Sequence, residues 1–278
     1  TRLPDEIVIV DNDPQAGAQE AVNQLAEGAP VRLSYVHEPN PGVSNARNTG
    51  FAHTQARFIA QLDDDETASP HWLASLLDAS EALDAPVVFG PVIAQLPDPL
   101  SRGVRAAYTQ RLYSRLGPSD TQVIDKPHGC GNALFDREAL DLPSPVFDQA
   151  ANEIGGEDDM LFQKLQAQGV RFGWAAQADV YEHVQAPRQS WGKLLQRSFA
   201  YGQGPTQTSA QSTPHNWAGV AFWMGVGAAQ VLVFGACAPL AWLISAKAAA
   251  SCLDKAAQGL GKLIWFEALS PRLYGANA

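Results

Sequence analysis

Short β-branched runs alternate with helical stretches through the first quarter of the chain. Glu6-Ile7-Val8-Ile9-Val10 is apolar and stops at Asp11-Asn12-Asp13-Pro14, the pattern of a buried parallel-type strand that ends in a turn. Helical residues between 15 and 27 lead to a second strand, Val31 to Val36. The loop Glu38-Pro39-Asn40-Pro41-Gly42-Val43 precedes a helix for which Ser44 is the predicted N-cap. A third strand, Phe58 to Leu62, delivers Asp63, Asp64 and Asp65 at its carboxyl end. This order predicts an α/β fold with a mostly parallel sheet and right-handed crossovers. Ligands of such sheets sit beyond the carboxyl ends of the strands, where Asp11 and the aspartate triplet fall.

Further on, Trp72, Leu73, Leu76 and Leu77 mark a helix, Val87-Val88-Phe89 a strand, and residues 101 to 115 another helix. Gly129-Cys130-Gly131-Asn132 precedes a short strand, Ala133 to Phe135. Gly155-Gly156-Glu157-Asp158-Asp159 opens a helix with Met160, Leu161, Phe162 and Leu165 facing the core. The macrodipole favours acidic residues in a first helical turn whatever their function. Ser198 to Ala246 contains no Asp, Glu, Lys or Arg. Its polar part, 201–216, reads as a linker; Trp217 to Ala246 is mostly apolar and long enough for one tilted membrane crossing or deep insertion. Trp217, Trp223 and Trp242 suit the interfaces, and the tail from Ser251, with Lys255, Lys262 and Arg272, reads as an interfacial amphipathic helix. The chain thus divides into 1–200, 201–216 and 217–278.

Charge and cysteine content narrow the chemistry. A net charge of −10 argues against a nucleic-acid partner, although a bridging cation lets an acidic protein hold a nucleotide. Cys130, Cys237 and Cys252 are too few and too dispersed for a disulfide framework or thiolate metal site. Three adjacent carboxylates repel one another, so the triplet is either a solvated acidic turn or a cation site. Oxygen ligands of this kind suit Mg²⁺ or Mn²⁺, ions that usually arrive with a substrate phosphate.

The order Ile7 to Asp11, Pro41-Gly42-Val43-Ser44-Asn45-Ala46-Arg47-Asn48, Leu62-Asp63-Asp64-Asp65-Glu66, Gly131-Asn132, Gly155-Gly156-Glu157-Asp158 and Val180-Tyr181-Glu182-His183-Val184 resembles family 2 nucleotide-sugar glycosyltransferases of GT-A fold. Within them it is most similar to bacterial glucosyltransferases of succinoglycan-type exopolysaccharide assembly, over about residues 5 to 204. The resemblance implies a nucleotide-sugar site at Asp11 (uracil), Arg47 (base and phosphates), Asp63 or Asp64 (ribose side) and Asn132. It implies metal ligation by Asp65 and Asp63, with a further ligand from Glu182 or His183, the register being open by one residue. Asp158 matches the catalytic base, with Glu157 beside it, and Arg188, Trp191 and Arg197 are candidates for the acceptor.

The implied reaction is inverting transfer from a UDP-hexose to a lipid-linked or saccharide acceptor at the bacterial inner membrane, with the catalytic domain cytoplasmic. A single displacement needs a base and a neutralised leaving group, and no covalent nucleophile. Against the family pattern, Glu6 to Val10 corresponds to the second strand, so the first strand and helix are expected to be lacking and two central edges unpaired. A weak enzyme is the expected consequence. The competing expectation is a non-catalytic carbohydrate-binding or scaffold protein on a degenerate version of the fold. A nucleotidyltransferase would carry a Gly-rich loop and a lysine near the start, which this chain lacks.

Overall fold

The computed structural model describes residues 2–97, 102–152 and 156–271, so Gly155 and Arg272 lie outside the described residues. Contacts divide it into two units, 2–92 with 115–181 and 93–114 with 182–271. Residues 93–114 and 182–200, read from sequence as part of the first domain, therefore belong to the second unit.

In the first unit, β1 (Glu6–Asp11) pairs in parallel with β2 (Arg32–His37), and α1 (Gln19–Ala26) connects them. α2 (Val43–His53) then leads to β3 (Phe58–Leu62), as the apolar pattern predicts. The sheet is less parallel than expected. β3 belongs to a five-stranded sheet ordered β3-β8-β5-β9-β7, with β5 at Val87–Phe89, β7 at Gln122–Ile124, β8 at Asn132–Asp136 and β9 at Phe172–Trp174. Only β5 and β9 run parallel there; β8 is antiparallel to both β3 and β5, and β7 to β9. The reversal has a chemical consequence: Leu62 pairs with Asn132, which brings the start of β8 beside the aspartate end of β3. Among the described residues, β1 pairs only with β2 and β3 only with β8, so each leaves its other edge without a strand. That is where the resemblance puts an additional strand.

β4 (Glu66–Ala68) and α3 (Trp72–Leu83) follow the triplet, and α5 (Glu157–Ala167) covers the sheet. Phe89, Phe135, Phe162, Phe172 and Trp174 form the main core, with Phe89 and Phe162 ring centroids 4.9 Å apart. Leu76, Val88 and Leu134 build a second cluster under α3. β6 (Val92–Gln95) and β10 (Val180–His183) straddle the division between units.

The second unit is helical: α4 (Gly103–Tyr113), α6 (Trp191–Gln211), α7 (Trp217–Ile244) and α8 (Ala246–Leu263). The proposed linker over 201–216 is not one, since α6 continues to Gln211 with Pro205 inside it. Packing overrides its weak helix propensity. Gly202 lies so close to the Gln258 backbone that no side chain fits between them. Gln203 Nε2 donates to the Ile264 carbonyl at 2.8 Å, Thr206 Oγ1 to that of Lys262 at 3.2 Å, and Gln207 Nε2 to that of Trp265 at 2.9 Å. The uncharged polar composition therefore satisfies carbonyls at the end of α8. The amphipathic stretch begins earlier than expected, at Ala246, and one side of it packs on α6 and α7. Asp254 of α8 is buried, accepting from Arg111 Nε at 2.6 Å, Ser198 Oγ at 2.9 Å and Gln258 Nε2 at 2.9 Å. Ser198 also bonds Tyr108, whose hydroxyl burial pushes up to about 12. Among the described residues, α7 is the one helix long and apolar enough to cross a membrane.

Candidate active site

The Pro-Gly-Val-Ser-Asn-Ala-Arg-Asn segment works as a lock. Gly42 has a φ of 139°, a conformation other residues rarely adopt, and the Asn152 amide fills the place of a Cβ. Gly42 is also the N-cap of α2, and it has no side chain to cap with. Ser44, expected in that role, lies inside the first turn because its partners are elsewhere: its N–H donates to Asn152 Oδ1 at 2.9 Å and its hydroxyl to the Asp148 carbonyl at 2.8 Å. Asn48 exchanges two 2.8 Å hydrogen bonds with the Phe147 backbone. Ser44, Arg47 and Asn48 are three and four residues apart and share one helix face. That face is pinned to 147–152, which fixes the helix position from which Arg47 projects.

The Arg47 guanidinium pairs through Nη1 with Glu157 Oε1 and through Nη2 with Asp63 Oδ1 at 3.4 Å. Its side chain is 13% exposed and that of Glu157 8%, so this is a buried pair. Burial raises the Glu157 carboxyl above its ordinary value, and the Arg47 charge opposes the rise. Asp158, the next residue, is half-buried, and its Oδ1 accepts from the following N–H at 2.8 Å. Of the two adjacent carboxylates, Glu157 is engaged by Arg47 and Asp158 is the more open.

Asp63 to Glu66 form a turn closed by the Glu66 N–H on the Asp63 carbonyl at 3.1 Å. Asp64 is exposed at its tip and Asp65 half-buried. Glu66 is buried, receives the Asp63 N–H at 3.0 Å and pairs with Arg115 Nη2 at 3.4 Å. Arg115 is held by two backbone bonds to Val92, of 2.8 and 3.0 Å. Gly131 sits at the focus. A Cβ there would lie 2.7 Å from Asp63 Oδ2, 2.9 Å from Arg115 Nη2 and 2.9 Å from Glu66 Oε1. A Cβ on Gly129 would come 3.2 Å from Asp158 Oδ2 and 3.8 Å from Arg115. Arg47, Asp63, Glu66, Arg115, Glu157 and Asp158 therefore ring one glycine-lined floor. Cys130, between the glycines, is fully packed, and burial pushes its thiol up, away from thiolate chemistry.

Two expected donor contacts are heavily engaged already. The Asp11 carboxylate accepts from the N–H groups of Asp13 (3.0 Å) and Ala18 (2.9 Å) and from the Tyr35 hydroxyl (2.9 Å). The two backbone donors, then Tyr35, hold it below the ordinary carboxylate range despite its burial. A carboxylate offers about four acceptor positions, which leaves room for one more donor. Asn132 donates both amide hydrogens, to the carbonyls of Pro91 (2.9 Å) and Ala178 (2.7 Å), and accepts from Trp72 Nε1 at 2.8 Å. It ties three segments together beneath the floor.

Glu182, His183, Arg188, Trp191 and Arg197 belong to the second unit. Glu182 is buried, and His183 and Arg188 are exposed. Trp191 packs edge-on against Tyr108 at 5.7 Å, and Arg197 lies 4.5 Å over the Tyr113 ring with its Nε on the Tyr201 hydroxyl at 2.8 Å. Among the described residues no three His, Cys, Asp or Glu side chains converge as a ready-made metal cage. The oxygen-only turn at Asp63 to Asp65, with Asp64 at its exposed tip, still fits a hard divalent cation that takes one or two carboxylates from protein and the rest from phosphate and water. The sequence reading quoted Glu66 within the motif without giving it a role, and it missed Arg115. Glu66 had a signal, as a fourth consecutive carboxylate; Arg115 had none, because only its pairing with Val92 brings it here.

A family model for glycosyl transferase family 2 matches residues 1–142, and the chain belongs to that family. Its fold is the mixed α/β GT-A arrangement. The succinoglycan biosynthesis protein ExoM of Rhizobium meliloti (strain 1021) is 32% identical over 197 residues, covering 71% of this chain and 62% of that protein. ExoO of the same organism, also a succinoglycan biosynthesis protein, is 28% identical over 64% of this chain and 52% of its own length. The pre-mycofactocin glycosyltransferase of Mycobacterium tuberculosis (strain ATCC 25618 / H37Rv) is 28% identical over 70% of this chain and 40% of its own. The chain thus spans less than two thirds of the length of these relatives. A crystal structure of GalNAc-T7 with UDP, GalNAc and Mn²⁺ aligns with a TM-score of 0.48 at 15% identity, over 74% of this chain and 46% of that one.

Proposed function

We propose that this chain carries the donor site of an inverting transferase that moves a hexose from a UDP-sugar to a lipid-linked or saccharide acceptor in bacterial exopolysaccharide synthesis. The observation that carries the reading is the division of labour between Glu157, buried against Arg47, and Asp158, half-exposed beside the same floor. Asp158 takes the proton from the acceptor hydroxyl, that oxygen bonds to the anomeric carbon, and the bond from this carbon to the diphosphate breaks. UDP leaves with the electron pair, and the configuration inverts. Asp65 and Asp63 would hold Mg²⁺ or Mn²⁺. Such an ion neutralises leaving-group charge when bound.

Arg47 orders Asp63, and Arg115 orders Glu66 and through it the turn that bears Asp64 and Asp65. Asp11 retains one acceptor position for a base N–H, while Asn132 acts from below the floor. Arg188, Trp191 and Arg197 remain the proposed acceptor side. The site would work at the cytoplasmic face of the inner membrane, attached through the 217–246 segment. UDP release from a screen of UDP-, GDP- and dTDP-sugars, with and without Mn²⁺, tests the proposal. Metal-dependent release from a UDP-hexose is expected, lost in Asp158→Asn while UDP binding persists. UDP binding without release from any donor would instead favour a non-catalytic binding protein.

A further inference from the structure

α7 is the apolar helix, yet the second unit does not present it as an isolated spanning segment. α8 turns back at Ser245 and runs alongside it. Gly227 and Gly259 meet backbone to backbone, with the Lys262 Cβ equally close to Gly227. Nearer the turn, the Lys255 ammonium lies 4.6 Å over the Phe234 ring. α8 thus carries Lys247, Asp254, Lys255 and Lys262 along most of α7, and Asp254 is tied to Arg111 of α4 and Ser198 of α6. A perpendicular α7 would draw these charges and the polar face of α6 into hydrocarbon, which has no water to solvate them.

The other side of α7 is bare. Trp217, Phe222, Leu232, Leu240, Leu243 and Ile244 are all more than 60% exposed, and the most apolar window of the helix is 11% buried, far from a core helix. Charge points to what covers it. The described residues of this unit hold nine Lys and Arg against three Asp and Glu, a net charge of +6 in a chain of −10 overall. A cationic helical body bearing one uncharged apolar face complements an anionic lipid surface.

We propose that the exposed face of α7 embeds in a single leaflet of an anionic bilayer, with the helix in the membrane plane, so that the chain is monotopic through this segment and not transmembrane. The proposal rests on the membrane attachment named above and is independent of sugar transfer. The test uses the full chain with Cys237 and Cys252 replaced by serine, and single cysteines introduced as Phe222→Cys, Leu232→Cys or Leu243→Cys. Each is labelled with an environment-sensitive fluorophore and added to phosphatidylcholine vesicles with or without phosphatidylglycerol. Flotation is expected with the anionic vesicles only, weakening as salt rises, and lipids spin-labelled near the headgroup are expected to quench all three sites equally. Deep quenching at 232 with shallow quenching at 222 and 243 would mean a spanning helix and overturn the proposal. Absent flotation, or no lipid quenching at any site, would mean the face meets protein and would overturn it too. Donor binding measured on the same samples separates loss of the fold from loss of lipid contact.

Discussion

Adding one methyl group at Gly131 tests whether the floor of the site is set by close approach. The new Cβ would stand 2.7 to 2.9 Å from Asp63 Oδ2, Arg115 Nη2 and Glu66 Oε1, where ordinary contact begins at 3.4 Å. Each side chain must therefore retreat by about 0.5 to 0.7 Å. The pairs Arg47–Asp63 and Arg115–Glu66 are both already 3.4 Å long, so that retreat breaks at least one of them. Stability should change little. The pair that yields is Arg47–Asp63, because the Asp63 side chain is 41% exposed whereas that of Glu66 is buried, so overpacking costs about 1 kcal/mol, the low end of its range. The stiffer unfolded chain returns roughly 0.4–1 kcal/mol. Catalysis should suffer more, because a misplacement of about 1 Å costs on the order of 100-fold in rate.

Gly131→Ala is thus expected to lower donor turnover about 10- to 100-fold while shifting Tm by no more than about 4 °C. Gly28→Ala is the control, since nothing lies within 4 Å of its added Cβ. The assays are UDP release and differential scanning fluorimetry on the same preparations. Turnover equal to that of the control would refute the reasoning. So would a large fall in Tm, which would place the clash in the fold and not the site.

Arg47→Met leaves Glu157 buried without its partner and should destabilise by about 3–5 kcal/mol; chemical denaturation should show the double variant Arg47→Met, Glu157→Met recovering part of that loss. Asp158→Asn should keep both Tm and UDP affinity within error while abolishing transfer, read as separate binding and turnover titrations. Asp11 has a carboxyl depressed below its ordinary 3.8, so it favours the folded state above that value and loses the contribution as pH falls through the depressed one. From about pH 5 to about pH 3, wild type should lose more Tm than Asp11→Asn, and Tyr35→Phe should lie between them.

The parts of the site legible in sequence are those carried by local pattern. Strand ends placed Asp11 and Asp63, and an acidic first turn placed Glu157 and Asp158, because a strand or helix terminus fixes its neighbours within a few residues. What failed was long-range. An antiparallel β8 cannot be told from a parallel strand by its own apolar run, yet its direction brings Gly131 and Asn132 to the aspartates. Ser44 and Asn48 look like surface helix residues until segment 147–152 supplies their partners more than 90 residues away. Residues 201–211 lack helix propensity, and only the α8 carbonyls explain why they are helical and polar. Arg115 combines both difficulties, a lone cation after a helix that one bridge to Val92 turns toward Glu66. In each case the residue type chosen is the one that satisfies a distant backbone group or charge. The family motif is therefore visible locally, whereas the scaffold that aims it is encoded in pairs of residues that no single window of sequence contains.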